Sequence, residues 1–158
     1  MLNAEQRRDG IARLLELPGL VEEAVRGLDD AQLDTPYRDG GWSVRQVVHH
    51  LADSHLNALI RMKLTLTEEH PPLKPYDQDE WARLGDAALP VAPSLAILRG
   101  VHERWAALLE SLPEEAWSRT AYHPERGDIT LDDQLSLYAG HGVHHVGQIT
   151  GLRTRNGW

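Results

Sequence analysis

Two adjacent histidine pairs, His49-His50 and His144-His145, and a further His141 four residues before His145 are the side chains best suited to chemistry in this sequence. On a helix, residues four apart project from one face with Cβ atoms about 5–6 Å apart, a spacing at which two imidazoles can grip one cation. The chain has no cysteine. Any transition-metal site must therefore use imidazole and carboxylate, and disulfides, thiolate sites and cysteine nucleophiles are excluded. One helix face cannot surround an ion, so a third ligand has to come from a different helix. Helical angles put His50 only a little ahead of His49: His50, Ser54, Asn57 and Arg61 fall within a sector of roughly 60° beside an apolar stripe and His49 points roughly 100° elsewhere, but neither histidine stands on the stripe itself. In the other segment His141 and His145 lie roughly 50–90° from the centre of the stripe, and His144 lies roughly 150° off, toward solvent. Three imidazoles leave coordination room for water or substrate, the arrangement of a catalytic site rather than a structural one.

Other residues receive plainer readings. His55, His70, His102 and His123 are expected to be hydrogen-bonded surface or cap residues, by general exposure tendencies. Trp105 is expected in the core, and Tyr37 and Tyr122 beneath their loops. Asp53, three residues after His50, is a candidate to orient an imidazole. Arg61 is the candidate cation for an acidic group.

The elements that would position these side chains are helices. A first segment runs from about Asn3 to Leu28, with Pro18-Gly19 expected to bend or interrupt it, since proline removes a helix hydrogen bond. A second starts at Ser43, where Ser43-x-x-Gln46 reads as a capping box, and carries Val44, Val47, Val48, Leu51, Leu59, Met62 and Leu66 at three- and four-residue steps. Pro71-Pro72 ends it, and a proline-rich stretch with a short helix around Asp79–Leu84 leads to a third helix, about Pro93 to Ser111. The fourth starts with Thr130 as cap and continues to about Arg153. This is an all-α four-helix bundle with a long crossover connection, Leu64–Pro93, in one domain spanning 1–158. An internal echo accompanies it. Leu28–Leu33, Thr35-Pro36-Tyr37 and a capped histidine helix are matched by Leu112–Trp117, Thr120-Ala121-Tyr122 and a second capped histidine helix.

A formal charge of −8 disfavours nucleic acid or anionic lipid as partners. No apolar run approaches ~20 residues, and no signal-peptide pattern follows Met1, so a cytoplasmic location is expected, with no membrane span.

The run Leu33–His55, LDTPYRDGGWSVRQVVHHLADSH, resembles the YfiT-like branch of the DinB-like superfamily. Lys74-Pro75-Tyr76-Asp77, Tyr122-His123-Pro124 and His141-x-x-His144-His145 agree with the same family, and the resemblance extends from about Ala4 to Trp158. It implies a DinB-type four-helix bundle, a homodimer, and one divalent metal, zinc or nickel, bound by His50, His141 and His145. It also implies a metal-dependent hydrolase acting on a small molecule, or an S-transferase that joins a low-molecular-weight thiol such as bacillithiol to electrophiles. A non-catalytic metal- or ligand-binding stress protein is the reading outside enzymology. Family members usually carry an N-terminal extension with a Tyr-Pro-x-Gly-like segment, whereas this sequence begins almost at the first helix.

Overall fold

A computed structural model describes residues 1–158. In chain order the helices are α1 (Ala4–Val25), α2 (Asp30–Leu33), α3 (Val44–Thr67), α4 (Gln78–Trp81), α5 (Ala92–Glu110) and α6 (Leu131–Asn156). The four long ones form the bundle. Each of α1 and α3 packs against both α5 and α6, so α1 and α3 lie across one diagonal and α5 and α6 across the other. This puts α3 and α6, the two histidine helices, side by side.

Local chemistry sets the helix starts. Asn3 with Gln6, Ser43 with Gln46, and Thr130 with Asp133 each form a reciprocal capping box, at α1, α3 and α6. Each such cap satisfies N–H groups left free by the first turn and is worth about 0.5–2 kcal/mol. Helix α5 opens instead with Pro93 in its first turn, where no N–H is required. Helix α6 closes at Gly157, whose φ of 70° is the left-handed conformation that glycine adopts without strain.

Three features depart from the sequence reading. Helix α1 runs unbroken through Pro18, which is buried. The proline withholds the N–H that would serve the carbonyl of Leu14, four residues back, and the Nδ1 of His102 on α5 occupies that acceptor instead. Second, an antiparallel hairpin, β1 (Thr120–His123) with β2 (Gly127–Thr130), leads into α6. Its outer edge takes the Pro71–Leu73 segment, through Tyr122 N–H to Pro71 O and Leu73 N–H to Tyr122 O. Tyr122 is correspondingly 45% exposed rather than packed beneath its loop. Third, the short helix after Pro71-Pro72 is two pieces, α4 and a 3₁₀ turn over Gly85–Ala88. The echo noted in the sequence has a structural counterpart. Pro36 bridges Ser43 ahead of α3 much as β1 pairs β2 ahead of α6.

Two apolar clusters fill the bundle. One gathers Leu14, Met62, Trp105 and Leu135; the other gathers Leu17, Val48, Leu98 and Ile149. On α3 His55 falls between Ala52 of the second cluster and Ala58 of the first, with His50 earlier on the same helix; on α5 His102 follows the change from Leu98 to Val101; and on α6 His141 and His145 fall between Tyr138 of the first and Ile149 of the second. A layer of imidazoles therefore cuts across the bundle between two hydrocarbon layers. No helix is long and apolar enough to cross a membrane.

Candidate metal centre

His50 projects from α3, and His141 and His145 project from α6 one turn apart. The Nε2 of His141 lies 3.4 Å from Nε2 of His50 and 3.2 Å from Nε2 of His145. The three donor atoms all fall within 4.8 Å of one another. A tetrahedral ion with metal–nitrogen bonds of about 2.0–2.1 Å needs nitrogens about 3.3 Å apart along each edge. The rings meet edge-on rather than stacked, with interplanar angles of 62°, 63° and 76°, so their lone pairs converge. Burial, reinforced by the neighbouring imidazoles, pushes His50 and His141 down to about 3. Burial lowers His145 as well. Near neutral pH these rings are uncharged and present nitrogen lone pairs, the form that binds a cation. The donor set fits one divalent ion.

Side chains that the sequence reading placed elsewhere back the trio. His55 and His102 are fully buried, not surface or cap residues. His55 Nε2 lies 3.1 Å from His141 Nδ1, and His55 Nδ1 lies 2.9 Å from His102 Nε2. The signal was present in the periodicity. His55 stands four residues after Leu51 and four before Leu59, and His102 stands four after Leu98 and three before Trp105. Both occupy stripe positions. His123 is also buried, its Nδ1 accepting the Glu125 N–H, while His70 is exposed and paired to Thr120 and Asp128. Gln148, which the sequence reading did not single out, accepts the His145 Nδ1–H through Oε1 at 2.8 Å. His144 is exposed, as its helical angle required, and meets the amide of Gln148. His49 turns toward α5 and bonds Ser94 and the Leu89 carbonyl. Trp42 covers the trio, 4.6 Å from the His50 ring and parallel to His145 at 6.4 Å, and its indole N–H is held by Asp79.

Two hollows open on His50. One, about 180 Å³, has Asp53, Tyr76, Gln78 and Trp81 in its walls. The other, about 230 Å³, runs past His141 between Arg61, Tyr76, His123 and Arg126. Asp53 lines the first hollow but bonds none of the imidazoles, whereas His55 meets His141 and Gln148 meets His145. Arg61 lines the second. Its guanidinium donates to the Lys74 carbonyl and lies against Tyr76. Both hollows are smaller than the about 300–1,000 Å³ of typical ligand sites, a size that suits a small molecule.

A family model described as the DinB superfamily matches residues 13–149. YfiT of Bacillus subtilis, named as a candidate metal-dependent hydrolase, is 49% identical over 159 residues, covering 99% of this chain and 89% of its own length. A protein of Oceanobacillus iheyensis with the same designation is 49% identical over 148 residues, covering 94% of this chain and 86% of its own. The solved structure of Bacillus subtilis YfiT, described as a probable metal-dependent hydrolase with an unusual four-helix bundle topology, superposes with a TM-score of 0.97 over 100% of this chain and 91% of that one. A second four-helix bundle protein, TT2238, superposes with a TM-score of 0.58 at 22% identity, covering 91% of this chain and 98% of that one, a likeness of fold.

Proposed function

The chain belongs to the DinB superfamily, and on that footing we propose that it is a metal-dependent hydrolase whose ion is held by His50, His141 and His145. The observation that carries this reading is the convergence of three imidazole nitrogens from two helices within 4.8 Å of one another, with two of the three separations, 3.4 and 3.2 Å, near the edge length of a tetrahedral site. An all-imidazole set suits zinc or nickel. A divalent ion there would lower the pKa of a bound water and polarise a substrate carbonyl or phosphoryl group. The protein's own part is positional. The three rings leave room for a further ligand, Trp42 shields their outer side, and Arg61 and Tyr76 border the space where a small substrate would lie. A thiol in place of water is the second reading. It is favoured by two guanidinium groups, Arg61 and Arg126, in the wall of the hollow beside His50 and His141; they outnumber its one carboxylate, Glu125, and suit an acidic thiol cosubstrate.

Elemental analysis of untagged protein tests the shared premise. About one ion per chain in the wild type and almost none in His145→Ala is expected, and a metal-free wild type would sink the proposal. Metal-dependent hydrolysis of small esters or amides then supports the hydrolase. Conjugation of a low-molecular-weight thiol to an alkylating electrophile, without hydrolysis, selects the second reading.

A further inference from the structure

Pro18 has no N–H, so the carbonyl of Leu14 lacks its helical donor. Leu14 is 1% exposed, and a buried carbonyl left unpaired costs about 1–3 kcal/mol. His102 Nδ1 is set against that oxygen. A carbonyl only accepts, so the proton of His102 sits on Nδ1, and a neutral imidazole has only one. His102 Nε2 is then bare and faces His55 Nδ1 at 2.9 Å, which must be the donor. His55 Nε2 is bare in turn and faces His141 Nδ1 at 3.1 Å, which must also donate. His141 is left with a lone pair on Nε2, the atom it directs at His50 and His145.

We infer that Leu14, His102 and His55 form a proton-ordered relay, opened by Pro18, that sets the tautomer and orientation of His141. His55 and His102 are positioning residues, and the functional site reaches through the core to α1 and α5. The rings are neutral because they are buried. Burial pushes His102 to about 4 and His55 well below its usual value.

The opposite flank supplies an independent check. Gln148 accepts from His145 Nδ1, so His145 Nε2 is bare as well. Two bare nitrogens then face each other at 3.2 Å. That contact cannot be a hydrogen bond, and it is favourable only with a cation between them. Metal-bound histidines usually donate their second N–H to a carboxylate, carbonyl or water. Here the acceptor for His141 is another imidazole, and the chain ends on a carbonyl freed by a proline.

The consequence for metal affinity rests on the proposed role of His141 as a ligand; the proton order does not. The test therefore starts from metal-free, ¹⁵N-labelled protein, with long-range ¹H–¹⁵N correlation spectra that distinguish the two imidazole tautomers. His141, His55 and His102 are expected as Nδ1–H forms, and finding any of them as the Nε2–H form would overturn the relay. His102→Phe keeps a ring of similar size but cannot accept from His55. His141 is expected to lose its single tautomer there, and zinc affinity, measured by chelator competition, to fall about 10–100-fold. His102→Gln keeps one donor and one acceptor and is expected to stay near the wild-type affinity. A purely structural role would lower the unfolding temperature of His102→Phe while leaving tautomer and affinity unchanged, and that result would also overturn the relay. Should His102→Phe fail to fold, the wild-type spectrum and His102→Gln still decide the question. A wild type with the ordered tautomers but no affinity for zinc would uphold the relay and remove the metal reading alone.

Discussion

Acid should unfold the metal-free protein unusually early, because a layer of imidazoles is folded into the core uncharged. Burial holds His50 and His141 down to about 3 and His102 to about 4, and lowers His55 in the same direction. In the unfolded chain the same rings take up protons near their ordinary value of about 6.5. Folded values below unfolded ones mean that the unfolded state binds more protons as the pH falls. The contribution is therefore complete above about pH 6.5 and is lost on the way down toward the folded values. At about pH 5 each ring that stays neutral in the fold has cost about 2 kcal/mol relative to neutral pH, so four such rings cost about 8 kcal/mol. That is comparable with the whole stability of a typical domain, about 5–15 kcal/mol. Burial pushes Asp53 up, which acts in the opposite sense, but its carboxyl is half-exposed and offsets little.

Urea unfolding of chelator-treated protein at a series of pH values measures this directly. Well below pH 6.5 the slope should approach about 5 kcal/mol per pH unit, the signature of about four protons taken up together on unfolding. Adding zinc at about a thousand times its dissociation constant contributes about 4 kcal/mol. It should displace the acid transition downward by about 0.8 of a pH unit, the ratio of that gain to the slope. A slope of less than one proton between about pH 6 and pH 5 would show that the imidazole layer is wet or already charged, and the argument from burial would fail.

Three further outcomes follow from the packing around that layer. A Cβ added at Gly142 would lie 2.2 Å from Leu17 Cδ2 and 2.6 Å from Cδ1, and Leu17 is buried. Overpacking of about 1–3 kcal/mol is offset by about 1 kcal/mol of helix propensity, so Gly142→Ala should lose about 0–2 kcal/mol in urea unfolding and weaken zinc binding by shifting His141; wild-type values for both would refute the close approach of α1 and α6. Gln148→Leu removes the acceptor of His145 Nδ1–H and should weaken zinc binding about 10–100-fold, whereas His144→Ala should leave chelator competition nearly unchanged; equal effects would show that Gln148 is only a surface residue. Arg7 and Asp132 are buried together, joined by bonds of 2.8 and 3.1 Å. Arg7→Ala should cost about 3–5 kcal/mol by stranding the carboxylate, with zinc affinity unchanged because the pair lies nine residues before His141 on α6, about 13 Å along the helix; a loss below about 1 kcal/mol would refute the stranding.

Most of the bundle could be read from local chemistry. Ser43 with Gln46 and Thr130 with Asp133 cap helices where the sequence places them, because a capping box is made by residues three apart and needs nothing from the rest of the fold. Helical angles of 100° per residue separated His141 and His145 from His144 but set His50 only a little ahead of His49, since neither stands on the stripe; the donor atoms of His50, His141 and His145 lie within 4.8 Å of one another. The hairpin before α6 was not legible. Its second partner, the Pro71–Leu73 segment, lies some fifty residues away, and only the fold brings it alongside Tyr122.

The misreading of His55 and His102 is the more instructive one, because the relevant pattern was in view. Each stands on an apolar stripe, yet a general tendency of histidine toward the surface outweighed position. Position carries the better information when a polar residue interrupts a stripe that continues on both sides, since such a residue is buried and must find a partner. The same reasoning joins two oddities that looked unrelated. Pro18 leaves the α1 backbone with an unserved carbonyl, and His102 puts a donor into an apolar stripe on α5. Either feature alone is a cost to the fold. Together they cancel, and the proton order they impose arrives, through His55, at the nitrogen of His141 that faces the centre. A proline inside a buried helix and a histidine inside a buried stripe are thus best read as a pair, and the pair is the innermost part of the site.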